Sequence, residues 1–353
     1  MGSGQSNRLK VMKTVSKDTW VLAAVGLFTA FIALWGIYFD SHKEIDTTKE
    51  PIPAAIEDRI SYCETQDNVK IAYSLIGSGY PLVKTSSWFS HLGFEKNNLF
   101  WSHWIKALSK NNLLIRYDER GCGLSDRDID QISFEGWILD LETVVDAIGL
   151  EKFAILGISQ GVPIAIAYTI RHPDKVSHLI LCGGYARGWQ KSEDPEYMKA
   201  CQTLVDPIKN LWGQDNPEFT EMFAKVFLPE ATEIQLAWFN KLQKHATSAE
   251  NAHKFMLEFG KIDVFDLLDQ IKVPTIIFHS NDDRVVPFKD GQILAKYIPN
   301  AKFIPLISKN HILLKSEKEW NRFLKELNIF LRSDYSNKKG SWIDCGVRSC
   351  FLP

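Results

Sequence analysis

Residues 153–163 read FAILGISQGVP and hold the pentapeptide Gly157-Ile158-Ser159-Gln160-Gly161. A Gly-x-Ser-x-Gly turn between an apolar strand-like run and an apolar helix-like run lifts the serine hydroxyl clear of the backbone. The chemistry such a hydroxyl can do is nucleophilic attack on an acyl carbon, once a base takes its proton and an acid steadies the base. The rest of the chain must therefore supply a histidine and a carboxylate, in the order serine, acid, histidine along the sequence.

Nine histidines are present. His42 falls in a linker, and His245 and His253 fall in a helical insertion. His91, His103, His172 and His178 precede the acid candidates, and His279 sits at a strand end. His311, in SKNHILL, lies after the last strand run and before the last helix run, where a loop can swing it over Ser159. The acid is expected after the seventh strand run, in HSNDDRVVPF. There Asp282 and Asp283 compete, and Asp283-Arg284-Val285-Val286-Pro287 fits an Asp-x-x-Val-Pro pattern. Asp283 is thus assigned to orient His311, and Asp282 to a solvated or turn position. An oxyanion formed at the acyl carbon needs two converging backbone donors. One is the N–H of Gln160. The other is expected from the loop after the third strand run, PLVKTSSWFSH, at Trp88.

The elements that must position these residues alternate. Strand-like runs RISYCE, KIAYSLI, PLVKTSS, NLLIRY, FAILGIS, HLILCG, TIIFHS and KFIPLI predict a mostly parallel, eight-stranded sheet covered on both faces, the α/β class. Apolar residues at helical spacing predict a helix from Phe134 to Ile148 closed by Gly149. A second helix is expected over 160–171, with Pro163 in its first turn, and a last one over about 317–331. The alternation breaks once, at 185–272, where large aromatics and helix formers predict a helical cap; most of those aromatics are expected to be core. The sheet domain is accordingly placed at 59–184 and 273–332, and 333–353 is expected to be an extension without structure.

Composition excludes more than it specifies. Of 353 residues, 24% are charged and the net charge is −2, so there is no basic footprint for nucleic acid. Six cysteines lack a C-x-x-C pair. Cys122 and Cys182 are expected to be buried free thiols, whereas Cys345 and Cys350 in the tail are read as paired or free rather than metal-binding. Nothing implies a metal or cofactor.

The run Trp20–Phe39, WVLAAVGLFTAFIALWGIYF, is 20 residues without a charge, a length matched to a hydrocarbon core of roughly 30 Å. It is expected to be a single transmembrane helix, with Trp20, Trp35 and Tyr38 at the interfaces. Arg8, Lys10, Lys13 and Lys17 form a basic flank (1–19). Asp40, Glu44, Asp46 and Glu50 follow in a linker (40–58). The bias predicts a cytoplasmic N-terminus and a catalytic domain on the opposite side of the bilayer.

Taken together, these residues resemble the α/β-hydrolase superfamily over roughly 59–332. RYDERGCGLSD (116–126) resembles the Asp-x-Arg-Gly-x-Gly-x-Ser turn of that superfamily, in which Asp118 and Arg120 stabilise loops. The segments RYDERGCGLSD, LGISQG, CGGYARG, WGQDNP and IPLISKNHILL are similar to bacterial α/β-hydrolase modules that occur alone or fused to nucleotide cyclases and transcriptional regulators. The resemblance implies a serine hydrolase acting on a small acyl substrate through Ser159, His311 and Asp283. The competing expectation is a weakly catalytic or non-catalytic sensor that uses the same pocket. Two departures stand out: Ser86-Ser87 replace the usual His-Gly after the third strand, and Val162 replaces a small residue after the nucleophile.

Overall fold

The computed structural model describes residues 59–332 apart from Asp215. The expected spanning helix Trp20–Phe39, its basic flank, the linker, the tail and Cys345 and Cys350 lie outside the described residues. Among the described residues, no helix is long and apolar enough to cross a membrane.

Eight strands run in chain order: β1 (Arg59–Glu64), β2 (Lys70–Ile76), β3 (Tyr80–Lys84), β4 (Asn112–Tyr117), β5 (Phe153–Ile158), β6 (Val176–Cys182), β7 (Thr275–Ser280) and β8 (Lys302–Leu306). They form one sheet in the order β1-β2-β4-β3-β5-β6-β7-β8. The β1/β2 and β2/β4 pairs are antiparallel and the remainder parallel. Parallel strands are covered on both faces, which is why β5 is apolar and buried at every position.

The covering helices are α1 (Leu92–Glu95), α2 (Ser102–Leu108), α3 (Phe134–Ile148), α4 (Gly161–Arg171), α9 (Phe288–Tyr297) and α10 (Lys318–Arg332), and the insertion folds as α5 (Pro195–Leu211), α6 (Pro217–Phe227), α7 (Glu233–Ala246) and α8 (Ala249–Lys261). The Ser133 hydroxyl accepts from the Gly136 N–H at the start of α3, and Gly149 ends it. β5, β6 and β8 each end one residue before their expected runs do, and β3 stops much further short. β3 ends at Lys84 because the hydroxyls that follow are drawn elsewhere. Thr85 Oγ1 donates to Gly161 O (3.2 Å), and Ser86 Oγ accepts from the Glu119 N–H (3.1 Å).

The cap leaves and rejoins the sheet through a narrow neck. Val264 N donates to Ala186 O (2.9 Å), Gly188 N donates to Ile262 O (2.8 Å), and Arg187 pairs with Asp263 as an isolated antiparallel bridge. Trp189, Trp212, Phe219, Phe223, Phe227, Phe239, Phe255 and Phe259 are buried, as expected of core aromatics. A second seam joins the cap to the turn after β4. There Gly123 N donates to Ala246 O (2.7 Å) and Asn251 Nδ2 donates to Arg127 O (2.8 Å).

Candidate active site

Ser159 sits between β5 and α4 with φ of 54°, a left-handed backbone that non-glycine residues adopt at a cost of about 1–3 kcal/mol. Its N–H donates to Cys182 O on β6 (2.9 Å), so the turn is pinned to the sheet while the side chain stays half-buried. Gly161 is required by close approach: a Cβ there would lie 2.1 Å from Thr85 Oγ1. Val162 is accommodated by its neighbour across the sheet edge. A Cβ on Gly184 would fall 2.3 Å from the Val162 side chain, so the small residue has moved to position 184.

Asp283 and His311 come from two adjacent loops, after β7 and after β8. Asp283 Oδ2 lies 2.7 Å from His311 Nδ1. Its other oxygen accepts from Val285 N (2.8 Å) and Val286 N (3.1 Å), so the carboxylate cannot rotate without breaking three bonds. Both side chains are almost fully buried. Such a carboxylate places the imidazole proton on Nδ1 and leaves Nε2 as the basic nitrogen. Nε2 is buried and makes no hydrogen bond among the described residues. Asp282 is exposed, in keeping with the solvated role expected of it.

The Gly183-Gly184 turn after β6 lies against both His311 and Ser159. Positions built at their missing Cβ atoms lie 3.4 Å from His311 Cε1 and 2.8 Å from Ser159 O, respectively. Four other histidines are engaged elsewhere: His91 caps α1 and His172 pairs with Glu142, while His103 and His245 contact the Leu313 and Lys241 carbonyls. His279 lies behind the acid. Its Nε2 donates to Val286 O (3.0 Å) and stands 3.8 Å from Asp283 Oδ2, and burial lowers its pKa.

The expected oxyanion donors converge on the same elbow with one addition. The Trp88 N–H points toward Gln160 but donates to its side-chain Oε1 (3.1 Å). Gln160 Nε2 in turn donates to Glu119 Oε2 (3.1 Å). Sequence reasoning used only the Gln160 backbone and overlooked both side chains. The available signal was an acid two positions after the apolar strand NLLIRY, flanked by the loop-building Asp118 and Arg120. Those flanking residues do hold loops. Asp118 accepts from Leu92 N (3.1 Å) and Leu124 N (2.8 Å), and Arg120 donates to Asp140 (2.9 Å). Burial pushes Asp118 up to about 7 and Glu119 up to about 8.

Aromatic side chains surround this site. Trp88 stacks on Trp212 of the cap (5.3 Å) and on Phe89 (4.6 Å), and Phe227 presents its ring edge to His311 (5.6 Å). The His311 N–H donates to Phe227 O (2.8 Å), and Glu230 N donates to Asn310 Oδ1 (3.0 Å), so the base-bearing loop is tied to the end of α6. Among the described residues, no cluster of side chains could hold a metal ion.

Comparison with known proteins gives the same picture. The family model described as "alpha/beta hydrolase fold" matches residues 91–317. The AB hydrolase superfamily protein YisY of Bacillus subtilis is 29% identical over 73% of this chain and 94% of its own length. The bifunctional esterase/perhydrolase DCH of Acinetobacter calcoaceticus is 26% identical over 78% of this chain and 100% of its own. Among solved structures, the esterase EaEST from Exiguobacterium antarcticum superposes with a TM-score of 0.67 at 25% identity, covering 77% of this chain and 99% of that one. With its sheet order, its elbow and this family match in agreement, the chain belongs to the alpha/beta hydrolase fold family and is an enzyme of that family.

Proposed function

We propose that the protein is a membrane-anchored serine hydrolase that cleaves an ester-like acyl bond through Ser159, His311 and Asp283. The observation that carries this reading is the 2.7 Å Asp283–His311 contact beside a strained Ser159 elbow, with His311 Nε2 making no hydrogen bond among the described residues. Ser159 Oγ attacks the acyl carbon while Nε2 takes its proton. The imidazolium keeps Nδ1–H on Asp283 and returns the other proton to the leaving oxygen as the acyl–oxygen bond breaks. Water then repeats the sequence on the acyl-enzyme, releasing the acid and restoring Ser159. The Gln160 and Trp88 backbone N–H groups stabilise the tetrahedral oxyanion. No metal or cofactor enters these steps.

Anchoring rests on the uncharged run Trp20–Phe39 and its basic flank, whose charge bias favours a cytoplasmic N-terminus and a catalytic domain across the bilayer. An alkyl fluorophosphonate tests the chemistry: it labels the full chain, and labelling disappears in Ser159→Ala. Folded wild-type protein that stays unlabelled would sink the reading. Protease protection tests the orientation. Cleavage of the catalytic domain in intact cells whose cytoplasm is sealed supports it; cleavage only after the membrane is breached overturns it.

A further inference from the structure

The Gln160 side chain occupies the acceptor position of a donor that the reaction needs. Its Oε1 takes the Trp88 N–H, while Nε2 is committed to Glu119 Oε2. That second bond fixes the orientation of the carboxamide. A flipped amide would set its own donors against the Trp88 N–H and its oxygen against the Glu119 carboxyl.

Glu119 is 1% exposed, and its Oε1 is buried without a partner. Its carboxyl forms no ion pair among the described residues. A buried carboxyl is costly even with the charge of the buried Lys84 acting on it, and among the described residues its side chain hydrogen-bonds the Gln160 amide. The Trp88 loop, by contrast, has little room to move, with its indole stacked on Trp212 and edge-on to Phe259 (5.1 Å). The mobile partner in the Trp88–Gln160 bond is therefore the glutamine side chain.

We propose that the Gln160 carboxamide, orientated by Glu119, is a resting ligand of the oxyanion site that the substrate oxygen displaces on entering it. This rests on the serine-hydrolase reading above. As the Ser159 Oγ–carbon bond forms, the carbonyl π pair moves onto oxygen, and that oxygen keeps the Trp88 and Gln160 backbone N–H groups. A neutral ester carbonyl gains little by exchanging places with a neutral amide oxygen. An oxyanion gains much more, because charge-assisted bonds are about twice as strong as neutral ones. The plug's bond must be given up whether the site takes a carbonyl or an oxyanion, so the plug weakens ground-state and transition-state binding alike and sets KM rather than kcat. Gln160 bears on the reacting oxygen directly; Glu119 is a positioning residue that acts through it.

The test uses the full chain with 4-nitrophenyl butyrate as the probe substrate and fluorophosphonate labelling as the control. Gln160→Met keeps the backbone donor and empties the acceptor position, so KM falls by about three- to tenfold, the worth of one hydrogen bond, with kcat nearly unchanged. Glu119→Met releases the amide and moves KM the same way. Glu119→Gln restores an acceptor for Nε2 and returns KM toward wild type. If Gln160→Met does not fold, Gln160→Ala reads the same quantity. Wild-type KM in Gln160→Met (or in its Gln160→Ala stand-in), or a loss of kcat at unchanged KM, overturns the proposal while labelling at Ser159 leaves the hydrolase reading standing. Absence of Ser159 labelling in the wild type overturns both.

Discussion

The backbone carbonyl of Phe227, at the end of the cap helix α6, accepts the N–H of His311 at 2.8 Å, and the Phe227 ring meets the imidazole edge-on at 5.6 Å. The base is thereby held from two sides: by Asp283 in the sheet domain and by a residue that belongs to the insertion. Phe227→Ala leaves the carbonyl but opens a space beside the imidazole. Stability should fall by about 3 kcal/mol, as for other buried aromatic truncations, and kcat by roughly tenfold as the imidazole loses its fixed orientation. Urea denaturation and steady-state kinetics on the same sample check both; a stability loss with kcat intact would show that the ring merely fills space.

Asp283→Asn separates geometry from charge. The amide oxygen can still accept from Val285 and Val286 N–H groups, which leaves Nδ2 facing His311. A donor there drives the imidazole proton onto Nε2, where it blocks proton transfer from Ser159. We expect kcat to drop on the order of 10⁴-fold with unfolding midpoints close to wild type. Activity within a factor of ten of wild type would remove Asp283 from its role.

Gly184 and Val162 form a matched pair. Gly184→Ala forces a methyl to within 2.3 Å of the Val162 side chain, so it should destabilise by about 1–3 kcal/mol through overpacking. Because the new methyl meets Val162 Cβ as well as Cγ2, only Val162→Gly removes both contacts; adding it should recover part of that loss, giving a coupling in the double-mutant cycle. Additive effects would mean that the two positions accommodate substitutions independently.

Stability should be limited on both pH flanks by buried groups of opposite kind. His103, whose Nε2 donates to Leu313 O at 3.1 Å, is lowered by burial from 6.5 to about 4. A depressed histidine contributes stability present above its unfolded value and lost as pH falls through the folded one. Asp118 and Glu119 run the other way: burial raises them from 3.8 to about 7 and from 4.5 to about 8, so their contribution is complete below the unfolded values and disappears as pH rises through the folded ones. Two carboxyls lose their contribution between 4.5 and 6.5 while one imidazole gains its own, so these three groups together should lower the midpoint of thermal unfolding as pH rises through that window. Glu119→Gln should flatten the alkaline limb and leave the acid limb alone. An unchanged alkaline slope would rule Glu119 out as its source.

Much of this architecture was legible because it depends on local pattern. RISYCE, KIAYSLI, NLLIRY and TIIFHS became strands with the boundaries their residue types suggest, since short apolar or alternating runs between turn residues have few other ways to bury themselves. Asp283 and His311 were legible from their order relative to the strands. The end of β3 was not, because Thr85 and Ser86 suit a strand by type and leave it through hydroxyl contacts to distant segments. The same holds for Gln160 and Glu119, which are 41 positions apart. A side-chain bond across that separation leaves no periodicity to read.

The neck at Ala186–Gly188 and Ile262–Val264 closes its own backbone bonds before the cap begins. The cap is thus a replaceable cassette: a lineage could exchange everything between those clamps, and with it the aromatic walls that select an acyl group, without reopening the sheet. Any replacement must return a carbonyl to the His311 N–H and remake the seam at Gly123 and Arg127. Selectivity can drift freely under that rule, while the proton-transfer machinery is inherited intact.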